Sequence, residues 1–261
     1  MIDFIKVSQQ AESLIRETGI WMKSQRVSAS EIEIKTPNNL VSFVDKESER
    51  RLVEGLSQIF PEAGFIAEEG TGERAAVWNW VIDPLDGTTN FLHDVPIWCI
   101  SVALCHERKA VIGIIFDPNK NEMFVASKGN GCYLNGHKIQ ISQRNVLADS
   151  LLVTGFPYDD FGREEQYIGL FRSLMKKTRG IRRLGSAALD LAWVACGRFE
   201  AFYEYGLNPW DVAAGVILVE EAGGKVTGFH QGDPIFEEDI IASNGQIHEE
   251  LKSLTQEYFH S

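Results

Sequence analysis

The sequence predicts a mixed α and β (α+β) fold, and three observations predict it. Apolar residues near the N-terminus recur at helical spacing. Three β-rich runs in the middle of the chain are joined by short polar turns. Beyond about residue 145, strands and helices alternate. With 261 residues and 44% hydrophobic content, the chain is long enough for a large core divided among one or two domains.

Phe4, Val7, Ala11, Leu14, Ile15 and Met22 mark an opening amphipathic helix, in which Gly19 is either a weak point or the end. Residues 42–60 read as a second helix, stopped by Pro61. A strand follows over 64–67 and a polar loop over 70–77. The runs 99–106, 110–116 and 122–126, with turns such as 117–121, predict an antiparallel meander, because successive parallel strands need longer crossovers. Gly129, Gly131 and Gly136 punctuate a further hairpin. Strands at 151–154, 180–184 and 199–205 then alternate with helices at 164–177, 187–196 and 210–222, the last with Pro209 suited to its first turn. Short strands at Val226 and 240–242 and a helix from about Gln246 complete the chain. The change of texture divides it into an N-terminal α+β part, 1–144, and a C-terminal α/β part, 145–261.

The net charge of −12 argues against sequence-independent nucleic-acid binding, which needs a basic surface. Cys99, Cys105, Cys132 and Cys196 form no CxxC pair and no zinc spacing, so they read as buried, reduced thiols of a cytoplasmic protein. Asp3, Lys6, Glu12, Arg16 and Glu17 interrupt any signal-peptide core, and no run is long and apolar enough to span a membrane.

The segment Trp80-Val-Ile-Asp-Pro-Leu-Asp-Gly-Thr-Thr-Asn-Phe91 carries the most chemistry. An apolar strand delivers Asp83 and Asp86 three residues apart, Gly87 permits a sharp turn, and Thr88 and Thr89 open a helix. Strand-end carboxylates beside a helix N-terminus can hold a hard cation against a phosphate. An ordinary Asp-Gly turn with solvated acids explains the same residues. Three further acids follow apolar runs: Asp45, the Glu68-Glu69 pair, and Asp211 in Asn208-Pro-Trp-Asp-Val-Ala-Ala-Gly215. Each has its own ordinary explanation, helix capping for Asp45 and Asp211 and a solvated loop for the glutamates.

Taken together, these segments resemble the inositol monophosphatase family of magnesium-dependent, lithium-sensitive phosphatases. Asp83–Phe91 and Trp210–Gly215 carry the resemblance, supported by Ala67-Glu-Glu69 and Gly185-Ser-Ala-Ala188 in the expected order. The resemblance spans essentially the whole chain. It implies a layered αβαβα sandwich of the inositol monophosphatase/fructose-1,6-bisphosphatase type, with the site where the two parts meet and most metal ligands in the first. It implies two or three Mg²⁺ ions. Glu68, Asp83 and the Leu85 carbonyl match ligands of the first. Asp83, Asp86 and Asp211 match ligands of the second, and Glu68 also serves a weaker third. Thr88, backed by Asp45, matches the hydroxyl that orients the attacking water, with Glu68 assisting. Asp86, Gly87, Thr88, Gly185, Ser186, Ala187, Glu204 and Asp211 match positions that meet the substrate, and Lys35 a basic residue near the metal loop. The implied reaction is hydrolysis of a small phosphorylated sugar or cyclitol, inositol 1-phosphate first among them, by a cytoplasmic homodimer.

Oxygen-only ligands suit Mg²⁺ rather than zinc. The haloacid-dehalogenase motif separates its two acids by one residue, whereas Pro84 and Leu85 intervene here. Within the superfamily, fructose-1,6-bisphosphatase, histidinol-phosphate phosphatase, NADP phosphatase and 3′-phosphonucleotide phosphatase share the metal core. Arg182 and Arg183 suit either a second phosphate or surface charge, and Asn208 lies at a variable position beside a metal ligand. His93 reads as a loop residue and the six tryptophans as core or interface aromatics. A regulatory binding protein on the same scaffold is the alternative of another class, since some bacterial relatives contact the transcription or RNA-processing machinery.

Overall fold

The computed structural model describes residues 2–36, 39–157, 161–230 and 232–259, with the side chains of residues 29, 34–36 and 39 also outside the description. Helix α1 (Phe4–Ser24) leads to a hairpin of β1 (Glu33–Thr36) and β2 (Asn39–Val41), then to α2 (Phe43–Ile59). Gly19 neither ends nor breaks α1. A β-carbon there would lie 2.7 Å from the Phe116 ring, so the glycine lets the helix seat on the sheet.

Strands β3 (Gly64–Ala67), β4 (Trp78–Asp86), β5 (Cys99–His106), β6 (Lys109–Asp117), β7 (Glu122–Ser127), β8 (Gly131–Leu134) and β9 (His137–Ile139) form one sheet in sequence order, antiparallel except for the β3–β4 pair. The short helix α3 (Thr88–Leu92) follows β4. A second sheet takes the order β11-β10-β12-β14-β13, from β10 (Leu151–Thr154), β11 (Gly180–Arg182), β12 (Ala201–Tyr205), β13 (Lys225–Thr227) and β14 (Asp239–Ser243). In it β10 runs parallel to β11 and β12, because α4 (Glu164–Lys177) and α5 (Ala187–Ala195) supply the crossovers. Helices α6 (Pro209–Glu221) and α7 (His248–Tyr258) complete the molecule.

Strand alternation sorts the side chains into three apolar clusters. Trp80, Ile82, Val102 and Ile114 pack with α1 and α2. Val81, Ala103 and Ile115 on the opposite face meet α5 and α6, which also receive Val153, Phe202 and Ala242 of the second sheet. Leu152, Tyr203 and Ile241 face outward onto α4 and α7. The result is five layers, αβαβα. Helices α5 and α6 lie between two sheets, which is why they read as almost continuously apolar rather than amphipathic. They are seated tightly: a β-carbon on Gly113 of β6 would lie 2.6 Å from the Ala214 carbonyl oxygen, and one on Gly215 only 2.4 Å from the Leu191 β-carbon. No helix among the described residues is long and apolar enough to cross a membrane.

Candidate active site

The end of β4 departs from a regular strand. Asp83 pairs with Ser101 and Asp86 with Cys99, so three steps on β4 oppose two on β5. This bulge contains Pro84, which has no N–H to give to the ladder. In a regular strand, residues three apart face opposite ways. Here the extra residue keeps Ile82 and Leu85 together in the α1/α2 core and leaves Asp83 and Asp86 on the other face.

One cavity gathers the pieces. Glu68 at the end of β3, Asp83 and Asp86 of β4, Glu204 of β12 and Asp211 of α6 all line it. Its rim includes Gly87–Thr89 at the start of α3 and Gly185–Ala187 at the start of α5. Gly87 adopts φ +99, and a β-carbon there would lie 2.9 Å from the Ile97 carbonyl oxygen. Both the left-handed turn and the close approach therefore require glycine.

The acids are individually anchored. Asp83 Oδ1 accepts the Leu85 N–H at 2.9 Å. Asp86 Oδ2 accepts from Ser186 Oγ and the Ala188 N–H, both at 2.7 Å, which ties the bulge to the N-terminus of α5. Asp211 Oδ2 accepts the Asn208 N–H at 2.7 Å, as a capping box does at the third position of a helix. These contacts hold Asp83 through Oδ1 and Asp86 and Asp211 through Oδ2. Burial pushes Asp86 up to about 6 and Asp211 up to about 7. Asp83 stands well above the usual carboxylate range, first through burial and then through Glu68, Asp86 and Asp211. This is the signature of crowded like charge in need of a counter-ion.

Asp45 both caps α2 and reaches Thr88. Its Oδ2 accepts from the Ser42 N–H and Oγ at the start of α2, at 2.8 and 2.7 Å. Its Oδ1 lies 2.9 Å from Thr88 Oγ1, which is also 3.0 Å from the Leu85 carbonyl oxygen. The Glu204 carboxylate occupies the space beside Gly155, where a β-carbon would lie 2.1 Å from Oε2. Burial, eased by Arg183, raises its pKa well above the usual range. Lys35 lies in β1, but its side chain is outside the described residues.

Two charged residues that line the cavity, Arg183 and Asp190, lie outside the set of site residues that the resemblance implies. Arg183 lines the cavity and rests over the Phe156 ring, 5.6 Å from its centroid, whereas Arg182 does not line it. Asp190, on the buried face of α5, also lines the cavity, and its Oδ1 has no hydrogen-bond partner. A lone acid in the run Ala187-Ala-Leu-Asp-Leu-Ala was the available signal. His93 does not line this cavity.

The donor set fits a hard cation. All of it is oxygen, and the one nearby thiol, Cys99, is a weak partner behind Asp86 at 3.8 Å. Among the described residues, no three His, Cys, Asp or Glu side chains are already drawn together tightly enough to hold an ion alone. An acid-rimmed cavity rather than a closed cage suits Mg²⁺, which keeps several waters and shares its ligands with substrate phosphate.

The profile of the inositol monophosphatase family matches residues 5–260. The chain belongs to this family. The Pseudomonas aeruginosa protein named Nus factor SuhB is 41% identical over 247 residues, covering 91% of this chain and 90% of its own. A Rhizobium meliloti inositol-1-monophosphatase is 38% identical over 253 residues, covering 96% and 93%. The solved structure of the extragenic suppressor protein SuhB from Bartonella henselae superposes with a TM-score of 0.89 at 35% identity, covering 97% and 99%. The αβαβα layering is thus the inositol monophosphatase fold, and the superfamily is one of phosphatases.

Proposed function

We propose that the protein is a Mg²⁺-dependent phosphomonoesterase whose preferred substrate is inositol 1-phosphate. The observation that carries this is the single cavity in which Glu68, Asp83, Asp86 and Asp211 converge from three separate elements beside the starts of α3 and α5. Glu68, Asp83, the Leu85 carbonyl, Asp86 and Asp211 would hold two or three Mg²⁺ ions. When bound, the ions supply charge neutralisation and a more acidic water at the phosphate.

The chain's own groups do the positioning. Thr88 Oγ1 donates to the Asp45 carboxylate, so its lone pairs face the cavity and accept from the attacking water. Glu68 accepts the water's other hydrogen, fixing it in line with phosphorus. The exposed N–H groups of Gly87–Thr89 receive phosphate oxygens. Glu204 accepts from a hydroxyl of the carbon skeleton, while Gly185, Ser186 and Ala187 shape the adjoining wall. The leaving alkoxide takes its proton from water, and no covalent intermediate with the protein forms.

Release of inorganic phosphate from inositol 1-phosphate, fructose 1,6-bisphosphate, NADP and adenosine 3′,5′-bisphosphate with Mg²⁺ tests the substrate. The highest kcat/KM is expected for inositol 1-phosphate. Preference for a bisphosphate would instead assign Arg183 to a second phosphate. Family membership also supports a homodimer, which sedimentation of the purified chain tests. The name of the Pseudomonas relative favours a second reading, a regulatory binding role on the same scaffold. Absence of Mg²⁺-dependent release across the panel would select it.

A further inference from the structure

Helix α2 carries two fully buried acids one turn apart, Asp45 and Glu49. Asp45 reaches Thr88. Glu49 is directed at the loop that follows β3: its Oε2 accepts the Glu69 N–H at 2.7 Å and its Oε1 the Thr71 N–H at 2.8 Å. These amides flank Gly70, whose φ of +81 aims both at one anion, as in a backbone nest. On the other flank, the Glu68 N–H donates at 3.2 Å to the carbonyl of Ile82, the residue before Asp83. Glu68 is therefore held between the β4 bulge and a carboxylate clamp.

We infer that Glu49 is a positioning residue that presses Glu68 toward Asp83 and so sets the affinity of the cation position they share. The same helical turn holds Thr88 through Asp45, so α2 fixes the spacing of the two groups that orient the water. Glu68 and Asp83 repel each other, and a released loop would let Glu68 withdraw from the cavity. The inference rests on the Mg²⁺-dependent reading proposed above.

Glu49→Gln tests it, because the new amide sets a donor against a backbone N–H. A matched control exists. Glu221 accepts from the Gly129 and Gly131 N–H groups, both at 2.8 Å, at the opposite end of α6 from Asp211. That end lies about 15 Å along the helix from the cavity. Glu221→Gln therefore breaks the same kind of clamp away from the site. The full-length variants are titrated with Mg²⁺ while the thermal midpoint is read, and in parallel while phosphate release from inositol 1-phosphate is read. Both variants should lower the metal-free midpoint. Only Glu49→Gln should raise the half-saturating Mg²⁺ in both readouts, by about tenfold, with kcat at saturating Mg²⁺ within about threefold of wild type.

Wild-type Mg²⁺ dependence in a folded Glu49→Gln would overturn the inference. Should that variant not fold, Gly70→Ala against Gly129→Ala makes the same comparison from the loop side. Both glycines have φ near +80 (+81 and +78), and a β-carbon on either meets nothing within 4 Å. A tenfold rise confined to Gly70→Ala supports the clamp, and equal behaviour contradicts it. Absence of any Mg²⁺ response in the wild type would remove the parent reading and this one together. A normal wild-type response with an unaffected variant removes this one alone.

Discussion

Glu204 shows how closely one residue's role depends on another's missing atoms. Its carboxylate fills the space a Gly155 side chain would take, so Gly155→Ala must push it out of the cavity wall. A hydrogen bond to a charged group contributes about 1.5–3 kcal/mol, so KM for inositol 1-phosphate should rise about tenfold or more with a smaller change in kcat. Steady-state kinetics checks this, and an unchanged KM would separate Glu204 from the substrate. Asp83 makes the opposite case, a buried acid crowded by like charge. Burial and three neighbouring acids oppose its charge, so Asp83→Asn should leave the metal-free thermal midpoint equal or higher while removing its rise with Mg²⁺. Differential scanning calorimetry with EDTA and with Mg²⁺ reads both effects.

At the scale of elements, α6 links stability to the site. It carries Asp211 in its first turn and packs backbone-close on β6 and α5. Gly113→Ala overpacks this contact and should cost about 1–3 kcal/mol in chemical denaturation. It should also raise the Mg²⁺ requirement by displacing the start of α6. A stable variant with a normal Mg²⁺ requirement would contradict the tight seating. Most of these elements were legible in the sequence. Helices α1 and α2 show a 3.6-residue period, and β5, β6 and β7 are β-rich runs bounded by turn residues. The β1–β2 hairpin was missed, because strands of four and three residues carry too little pattern. The bulge at Pro84 was missed too, although it decides that Asp83 and Asp86 share a face. Register shifts are set by pairing with β5, not by the segment itself. Asp190 escaped notice because an acid within an apolar helix resembles a chance surface position until the second sheet is seen to cover it.

The whole molecule joins its layers through buried polar contacts as well as apolar ones. His248 at the start of α7 places Nδ1 2.8 Å from Ser243 Oγ on β14 and Nε2 3.0 Å from Thr227 Oγ1 on β13. Burial lowers its pKa to about 4, with Lys225 and Lys252 adding to the effect and Glu249 opposing it. The unfolded chain therefore binds a proton below about pH 6.5 that the folded chain refuses until about pH 4. This contribution to stability is complete above about 6.5 and is lost as pH falls through that window. His248→Gln should flatten the decline of stability between pH 6.5 and 4 relative to wild type. Urea denaturation across the window checks it, and parallel slopes would contradict the burial of a neutral ring.

All three scales meet in the bulged end of β4, which turns two acids toward the seam between the sheets. We propose this seam as a cation-dependent phosphatase centre with Asp83 at its middle. Phosphate release from inositol 1-phosphate tests that claim most directly, measured for wild type with Mg²⁺, wild type with EDTA, and Asp83→Asn with Mg²⁺. Turnover in the first alone is the predicted result. Turnover that survives EDTA or the substitution would contradict it.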